Sequence, residues 1–469
     1  MTAPATVPET VLGTPPVDLA ALLMAHPFGD DEDLLHTIDR SVTAGDARAA
    51  ARRVADELGQ LDGHAVAVQL ANGPDLVSTM VGVWLAGGVY VPVNPRLTDA
   101  EVATVLGTTA PVAIVTDDGI RRLDGGRTYA DGVAFVMWTS GTTGAPKAVL
   151  HTHAAYLELL DRVLGPLRGG SDRTASTGPA RTPTPNLIPV SMALNAGLYN
   201  ALFGLRAGAA LVIMDRFEPV VFAELVRRFE IRSTVLPPAA LAMLSDDADV
   251  TDLGPLRYVR SITAPLSPLQ ARRFSAKFPV HVLNGYGQAE IGEVIGWTAA
   301  DARAHPDKIG AVGRPHPGVA IRLDDDGHLW VRPPNTAAGI EERLDADGFI
   351  DTGDLARIDG DGFVWIEGRA GDLINRGGNK VHPDAVEEVL RLSSAVTDVS
   401  VVGVPDDRLG EVPVAFVVGD PVPDEELVAL CREHLVAYKV PAAFHWIDEL
   451  PRSEVGKVLR AELARSLEV

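Results

Sequence analysis

Amphipathic and apolar segments alternate along most of the chain. Residues 45–60 carry Ala, Val and Leu at helical spacing, and the apolar run from Ala65 to Leu70 that follows has the length of a buried strand. The same order recurs, which predicts helices at 75–86, 98–106 (with Thr98 as its N-cap), 219–229 and 266–278, and strands at 89–93, 111–115, 211–214, 234–236 and 281–283. Such alternation is typical of an α/β fold in which helices cover parallel sheets.

The pattern changes near Gly310, where short β runs with Gly and Asp turns begin, as in HLWVR, DGFIDTGD and DGFVWIEGR. Beyond Gly371 the pattern predicts helices at 383–392 and 424–435 and strands at 399–402 and 412–418. We therefore predict a large N-terminal domain at 1–370 with helix-covered sheets and a β-rich subdomain, and a small α+β C-terminal domain at 371–469. The Gly/Ser/Thr/Pro-rich stretch 169–185 is predicted to be a surface loop.

Composition narrows the class of protein. The 469 residues include 46% hydrophobic and 22% charged residues, which is ordinary globular usage and excludes general disorder. A net charge of −22 argues against a nucleic-acid or anionic-membrane surface, because such binding depends on clustered Lys and Arg. The single Cys431 excludes an intrachain disulfide framework and a Cys-cluster metal site.

The sequence also bears on location. No Lys or Arg precedes Arg40, so the positive start of a secretory signal is missing. The uncharged stretches 76–95 and 182–205 are interrupted by Gly, Pro and Asn, which favours buried strands and helices over membrane spans. Together with the single cysteine, these features predict a cytoplasmic protein without a membrane span.

The most specific chemical feature is the loop between the apolar runs at 135–138 and 148–150. It places four hydroxyl side chains, two glycines and a lysine within nine residues: Thr139, Ser140, Gly141, Thr142, Thr143, Gly144 and Lys147. Glycines let backbone N–H groups approach a phosphate, and the lysine supplies a cation. The loop is not a Walker A motif, because Lys147 follows Pro146 and precedes Ala148. A polar hairpin turn is the alternative interpretation of this loop taken alone.

This loop resembles the signature loop of the adenylate-forming superfamily, which includes acyl- and aryl-CoA synthetases and adenylation domains. Companion segments follow in the family's order, and the resemblance runs from about Ala65 to Arg460. They are Thr263, Ala264 and Pro265; Asn284, Gly285, Tyr286, Gly287, Gln288, Ala289 and Glu290; Asp354 in DTGD; Arg369 with the hinge position Gly371; and Lys457 in the C-terminal motif.

The resemblance implies a reaction in which a substrate carboxylate attacks the α-phosphate of ATP to give acyl-AMP and pyrophosphate. Tyr286 would pack on adenine, Asp354 would bind the ribose hydroxyls, and Arg369 would contact ribose or phosphate. Glu290 would bind Mg²⁺ and Lys457 would bridge the carboxylate and the α-phosphate. The small domain would then rotate, so that the segment with Gly377 and Gly378 lines the tunnel for the acceptor, CoA.

The acid pocket departs from the family pattern. Met192 stands where many relatives have His, and the predicted acyl pocket consists of Met192, Asn195, Gly197 and Ile262. The segment lacks the aspartate that holds an α-ammonium group in amino-acid-activating relatives, so an amino acid is disfavoured. Ala289 replaces the usual threonine before the Mg²⁺ glutamate. Gly371 replaces the Asp or Lys common at the hinge, and glycine permits large φ/ψ changes there.

The leading hypothesis is an ATP-dependent acid–CoA ligase for an aliphatic or aryl carboxylate, acting as a monomer or homodimer. The alternative is a stand-alone adenylating enzyme that passes the acyl group to a carrier protein, an amine or another nucleophile, and a silent nucleotide-binding scaffold is a third possibility. The twelve histidines show no metal spacing, so a zinc site is not expected. For His153, just after the phosphate loop, we predict a structural hydrogen-bonding role.

Overall fold

A computed structural model of the protein describes residues 18–124, 126–139, 147–167, 183–262, 266–288, 291–334, 343–452 and 458–467. The helices of this part of the chain are α1 (Ala21–Met24), α2 (Ala44–Leu58), α3 (Pro74–Leu85), α4 (Asp99–Thr109), α5 (His153–Leu167), α6 (Asn195–Ala207), α7 (Pro219–Arg228), α8 (Pro238–Asp246), α9 (Pro268–Lys277), α10 (Ala299–Ala304), α11 (Pro383–Leu390), α12 (Asp424–His434) and α13 (Arg460–Arg465).

The strands in the described part of the chain form five sheets. They are β1 (Asp33–His36), β2 (Ser41–Thr43), β3 (Ala65–Val68), β4 (Val89–Pro92), β5 (Ala113–Thr116), β6 (Gly119–Arg122), β7 (Val133–Thr139), β8 (Lys147–Thr152), β9 (Asn186–Ile188), β10 (Leu211–Ile213), β11 (Ser233–Val235), β12 (Tyr258–Ser261), β13 (His281–Gln288), β14 (Gly292–Gly296), β15 (Arg314–Pro315), β16 (Ala320–Leu323), β17 (His328–Arg332), β18 (Ile350–Ile358), β19 (Val364–Arg369), β20 (Ile374–Arg376), β21 (Asn379–Val381), β22 (Val396–Asp406), β23 (Gly410–Gly419) and β24 (Ala443–Trp446).

The first sheet has the order β6-β5-β3-β4-β7-β8. Strands β5, β3, β4 and β7 are parallel to one another, and β6 and β8 pair antiparallel at the two edges. Helices α2 and α3 cross closely, since a Cβ on Gly82 would lie 2.7 Å from Ala51 O. Buried side chains such as Met80, Phe135 and Leu198 form the largest apolar core around them. The predicted parallel, helix-covered sheet is confirmed.

Two further sheets continue this architecture. One has the order β2-β1-β10-β9, and the other has the order β11-β12-β13-β14-β15. In the second, β11, β12 and β13 are parallel, whereas β14 and β15 return antiparallel. Thr234 Oγ1 donates to Leu187 O at 2.9 Å and ties β11 to β9. The predicted helices are found within a few residues of their expected bounds, and Thr98 caps α4 in a capping box with Glu101.

The β-rich character predicted after Gly310 corresponds to an antiparallel sheet of order β16-β17-β18-β19. The last sheet has the order β21-β20-β23-β22, with β24 parallel to β23, and the apolar faces of α11 and α12 pack on it. The domain boundary at 371 remains a prediction; it falls between the end of β19 at Arg369 and the start of β20 at Ile374. Among the described residues, no helix has the length and apolar character needed to cross a membrane.

Candidate functional site

Asp354 is the centre of the best-defined polar site. It lies on β18 directly opposite Arg369 on β19, and Arg369 Nε is 2.8 Å from Asp354 Oδ1. The Asp354 side chain is 7% exposed, while that of Arg369 is 38% exposed, so the carboxylate is deep and the guanidinium lies nearer the surface. Thr352 Oγ1 accepts from the Asp354 N–H at 3.2 Å and fixes the turn of the strand.

Two side chains from β13 reach the same carboxylate. The Tyr286 hydroxyl donates to Asp354 Oδ2, and Gln288 Nε2 donates to the same oxygen at 3.3 Å and to Thr352 O at 2.7 Å. Burial and the negative charge of Asp354 raise the pKa of Tyr286 well above its ordinary value, so its hydroxyl remains a proton donor. Three segments that are distant in sequence, each singled out from the sequence, therefore meet at one carboxylate.

The backbone of the β13–β14 hairpin explains why glycines surround Tyr286. A Cβ on Gly287 would lie 2.1 Å from Gly292 O, and a Cβ on Gly285 would lie 3.0 Å from Glu293 Oε1. Asn284 accepts from the Gly285 N–H at 3.1 Å and donates to Ala311 O at 3.5 Å. The two glycines thus allow the close strand pairing that aims Tyr286 and Gln288 at Asp354, and Asn284 braces the strand.

The predicted phosphate loop connects β7 and β8, which pair antiparallel with Thr139 opposite Lys147. Beyond it, Leu19 N–H donates to His153 Nδ1 at 3.0 Å and the His153 ring packs edge-on against Trp84, so the structural hydrogen-bonding role predicted for His153 is confirmed. Several predicted site residues lie outside the described residues, and their roles remain predictions: Ser140, Gly141, Thr142, Thr143, Gly144, Thr263, Ala264, Pro265, Ala289, Glu290 and Lys457.

The predicted acyl-pocket residues have different surroundings. Met192 is 1% exposed and belongs to the apolar core. Gly197 allows the first turn of α6 to pack on the preceding chain, because a Cβ there would lie 2.1 Å from Ser191 O. Asn195 Oδ1 accepts from the Tyr156 hydroxyl at 3.2 Å. Ile262 contacts the β13 strand, since its Cγ2 would lie 3.2 Å from a Cβ on Gly285.

Sequence reasoning missed Asn72, which organises the Met192 segment. Asn72 Nδ2 donates to Val190 O at 2.9 Å and to Met214 O at 3.0 Å, and its Oδ1 accepts from the Met192 N–H at 2.9 Å. It therefore joins the ends of β3, β9 and β10. The signal available in the sequence was an amide side chain shortly after a buried strand. Its partners could not be inferred, because they lie more than one hundred residues away in sequence.

A second missed group is the buried ion pair between β12 and β14. Arg260 Nη1 lies 2.7 Å from Glu293 Oε1, which is also 3.1 Å from His316 Nε2. Burial by itself would raise the pKa of Glu293, but Arg260 and His316 offset it and the pKa is lowered. The signal was a charged residue inside each of two otherwise apolar strands, an arrangement that is costly unless the charges are paired.

The predicted tunnel segment lies in the C-terminal sheet, and the predicted hinge Gly371 lies just before its strand β20. Gly377 and Gly378 have φ values of 57° and 86° and form the two-residue turn between β20 and β21, which requires left-handed backbone. Gly371 has open space beside its Cα, since a Cβ added there would meet no atom within 4 Å. Arg460 binds three carboxylates, with Nη1 at 2.8 Å from Asp372 and Nη2 at 2.6 Å from Asp384 and 2.9 Å from Glu387.

Within the described residues, no group of three or more His, Cys, Asp or Glu side chains could hold a metal ion. Glu290, the predicted Mg²⁺ ligand, lies outside them, so Mg²⁺ binding remains a prediction. The described part of the site can accept hydrogen bonds from a diol at Asp354 and offers a cation at Arg369.

Comparison with known proteins agrees with this geometry. The family model for AMP-binding enzymes matches residues 25–131 and 124–340, and the model for the C-terminal domain of AMP-binding enzymes matches residues 385–457. The 4-coumarate–CoA ligase-like 9 of Oryza sativa subsp. japonica is 31% identical over 90% of this chain and 87% of its own. The long-chain-fatty-acid–CoA ligase FadD13 of Mycobacterium tuberculosis is 27% identical, covering 91% of this chain and 93% of its own.

Solved structures show the same architecture. The o-succinylbenzoate CoA synthetase of Bacillus subtilis, in complex with its acyl-adenylate intermediate, superposes with a TM-score of 0.79 at 25% identity and covers 94% of this chain and 97% of its own. The amide bond synthetase McbA of Marinactinospora thermotolerans superposes with a TM-score of 0.78 at 25% identity and covers 96% and 99%. Neighbours with the same fold thus include a CoA synthetase and an amide bond synthetase.

Proposed function

Because the chain belongs to the AMP-binding enzyme family, we propose that it is an AMP-forming carboxylic acid–CoA ligase. It activates a carboxylate with ATP to give acyl-AMP and pyrophosphate, and then transfers the acyl group to CoA. The observation that carries this proposal is the convergence of Tyr286, Gln288 and Arg369 on the buried carboxylate of Asp354. Relatives that are CoA ligases match over about nine tenths of the chain.

Asp354 is suited to bind the ribose of ATP. Its two oxygens can accept from two neighbouring hydroxyls, and a charged acceptor forms stronger hydrogen bonds than a neutral one. The same oxygens are bonded to Tyr286 and Arg369, so these two side chains hold the carboxylate in position before ATP arrives. Such preorganisation lowers the cost of orienting the nucleotide.

The chemical step brings two anions together, the substrate carboxylate and the α-phosphate. Positioned cations offset this repulsion and act most strongly where charge develops. We assign this role to Lys457 and Lys147, with the backbone N–H groups of the loop between β7 and β8. When bound at Glu290, Mg²⁺ would supply further positive charge to the phosphates; a carboxylate is an appropriate ligand for this ion.

The second half-reaction is attack of the CoA thiol on the acyl-AMP carbonyl, with AMP as the leaving group. We propose that the domain after Gly371 rotates between the two steps and brings the turn at Gly377 and Gly378 to the acceptor tunnel. The Gly-Gly turn is at the surface and has no side chain to block a thiol-bearing arm. Gly371 has room to change conformation, which supports its assignment as the hinge.

One observation favours a second candidate function. A structural neighbour of the same fold is an amide bond synthetase, so a stand-alone adenylating enzyme that passes the acyl group to an amine or a carrier protein is the alternative. The two candidates share the acyl-AMP intermediate and differ only in the acceptor.

Mass spectrometry of products tests the proposal. The protein is incubated with ATP, Mg²⁺ and a panel of short, medium, long-chain and aromatic acids, with and without CoA. We expect pyrophosphate release with at least one acid and an acyl-CoA product only when CoA is present. Turnover that is independent of CoA and yields an amide in the presence of amines would favour the alternative, and no pyrophosphate release with any acid would reject both.

A further inference from the structure

A buried polar group adjoins the predicted acyl pocket, and the adenylation chemistry does not use it. We call it the Arg260 cluster; it consists of Arg162 on α5, Tyr199 on α6, Arg260 on β12, Glu293 on β14 and His316 after β15. Its ion pair joins Arg260 and Glu293 at 2.7 Å, and His316 lies 3.1 Å from the same carboxylate oxygen. The ion pair therefore joins β12 and β14 to a residue from the turn after β15.

Two donors of the cluster have no hydrogen-bond partner within the described part of the chain. They are the Tyr199 hydroxyl and Arg162 Nη1, and both atoms are buried. Burial raises the pKa of Tyr199, and the charges of Glu293, Arg260 and Arg162 also act on it. Buried donors are nearly always bonded in folded proteins, so an unpaired pair of donors indicates a missing acceptor.

The cluster continues directly into the predicted acyl pocket. Tyr199 lies one helical turn after Asn195 on α6, and its ring is 6.4 Å from that of Tyr156, which donates to Asn195. Ile262 follows Arg260 by two residues, and Gly285 lies between Ile262 and Glu293 with close approach to both. The Arg260 side chain is 25% exposed and that of its partner Glu293 is 12% exposed, so the ion pair lies mostly away from solvent.

Both unpartnered atoms of the cluster can donate: a guanidinium nitrogen carries only donors, and a tyrosine hydroxyl can donate as well as accept. Glu293 Oε1 is already bonded to Arg260 and His316. A purely hydrocarbon end of a substrate would cover Tyr199 Oη and Arg162 Nη1 without pairing them, which is unfavourable. An oxygen at that end would satisfy them.

We propose that the substrate is a carboxylic acid that carries an oxygen acceptor at its far end, and that Tyr199 and Arg162 bind this oxygen. The proposal deepens the proposed acid–CoA ligase function and rests on it. A hydroxyl, a carbonyl and a second carboxylate share this chemistry. Each guanidinium group has a negative charge near it: Glu293 pairs with Arg260, and the charge of Glu158 acts on Arg162. Because these charges offset one another, the experiment compares a neutral oxygen with an anionic one.

The test compares acids that differ only at the far end. Pyrophosphate release is measured with ATP for hexanoic, 6-hydroxyhexanoic and hexanedioic acids, and for cinnamic and 4-hydroxycinnamic acids. We expect kcat/KM for the best oxygen-bearing acid of a set to exceed that of its hydrocarbon counterpart by at least about tenfold, the value of one well-formed hydrogen bond to an otherwise unpaired group. Comparison of 6-hydroxyhexanoic acid with hexanedioic acid shows whether the preferred oxygen is neutral or anionic.

Variants then assign the preference to the cluster. Tyr199→Phe and Arg162→Met should each reduce, by about tenfold, the ratio of kcat/KM for the oxygen-bearing acid to kcat/KM for the hydrocarbon acid. Tyr129→Phe removes another buried tyrosine hydroxyl, one that donates to Thr109 O far from the site, and should leave the ratio unchanged. Thermal unfolding of each variant confirms that it is folded.

The outcomes separate the two proposals. Equal or better activity with the hydrocarbon acids in both sets would overturn the inference while leaving the ligase function intact. A preference that survives both Tyr199→Phe and Arg162→Met would also overturn it, because the donors would then be satisfied by something other than the substrate. Failure to release pyrophosphate with every acid would reject the ligase function itself and, with it, this inference.

Discussion

At Asp354 one buried carboxylate accepts from a tyrosine, a glutamine and an arginine. These donors stabilise the carboxylate electrostatically before the nucleotide enters. Ribose hydroxyls would then share or replace some of these bonds. A carboxylate has two oxygens that accept several hydrogen bonds, and it can exchange one donor for another. Both properties favour a diol-binding role for this residue.

Asp354→Asn is expected to lower kcat/KM for ATP by about 10²–10³-fold, because the amide loses the charge that strengthens each hydrogen bond and leaves Arg369 unpaired. Steady-state pyrophosphate release at varied ATP measures the effect. Asp361→Asn, which removes an exposed carboxylate paired with Lys308, is the control and should change kcat/KM by less than about twofold. A similar effect of both substitutions would contradict the role of Asp354.

His151 provides a prediction of pH dependence at the same scale. Burial lowers the pKa of His151 to about 4, and its ring stacks on Phe135 with the centroids 4.8 Å apart. Its unfolded value is 6.5, so the unfolded chain binds the proton more readily. This contribution to stability is therefore complete above pH 6.5 and is lost as the pH falls from 6.5 towards about 4.

In His151→Leu, the decrease in the free energy of unfolding between pH 7 and pH 5 should be smaller than in the wild type by about 2 kcal/mol. Urea unfolding at the two pH values measures it. Phe135→Leu, at the stacked partner, should lower stability at both pH values and leave their difference unchanged. An unchanged pH difference in His151→Leu would show that the imidazole is accessible to protons in the folded state.

The residues of the site differ in how far the sequence could reveal them. Tyr286, Asp354 and Arg369 each belong to a sequence motif from which a role could be predicted. The structure brings the three side chains together. Arg260 and Glu293 stand in no such motif, and only their pairing across β12 and β14 makes their burial favourable. The role of Asn72 could not be predicted from the sequence either, since its three hydrogen bonds connect segments that are distant in sequence.

Among the elements, helices and parallel strands were predicted well, because hydrophobic spacing and capping are local signals. Thr98 and Glu101 form the capping box at α4, and the observed bounds of α3 and α7 differ from the predicted ones by one residue at each affected end. Strand β13 extends to Gln288, well beyond the predicted 283. The extension contains Gly285 and Gly287, which have low strand propensity, and tertiary pairing with β14 overrides it.

Gly287→Ala is expected to lower the free energy of unfolding by about 2–3 kcal/mol, because the new Cβ would overlap backbone. The clash is with Gly292 O, at 2.1 Å, so β13 and β14 must separate and Tyr286 moves relative to Asp354. Pyrophosphate release should therefore fall more steeply than stability does. Urea unfolding and kinetics at saturating acid measure the two effects.

Gly107→Ala is the matched control for Gly287→Ala. Gly107 lies on α4, and a Cβ there would meet no atom within 4 Å. Alanine is the better helix former by up to about 1 kcal/mol, so this variant should be as stable as the wild type or more stable, with unchanged activity. If Gly287→Ala behaved in the same way, the close pairing of the hairpin would not be what positions Tyr286.

At the scale of the whole molecule, a few positively charged residues have specific roles in an acidic chain. The chain has a net charge of −22, yet its proposed substrates ATP, a carboxylate and CoA are all anions, so the useful positive charge is concentrated at a few positions such as Arg369 and the predicted Lys147 and Lys457. Arg460 binds Asp372, next to the predicted hinge, and Asp384 and Glu387 on α11. It thereby couples the start of α13, three residues after Lys457, to the body of the C-terminal sheet.

Gly371→Pro tests whether the two parts of the chain must rotate about this position. Proline fixes φ near −65° and restricts the residue before it, so the hinge would be held close to one arrangement. We expect at least one isolated half-reaction to proceed at nearly the wild-type rate, while overall turnover to acyl-CoA falls by about tenfold or more. Single-turnover pyrophosphate release, thioester formation from supplied acyl-AMP and steady-state turnover are measured separately.

Gly371→Ala is the control at the same site, since a Cβ there meets no atom within 4 Å and alanine leaves φ free to vary. It should retain both half-reactions and most of the overall turnover. The two variants differ chiefly in backbone freedom, so a difference between them reports on motion and not on the loss of a contact. Equal overall turnover in the proline variant and the wild type would contradict a hinge at Gly371.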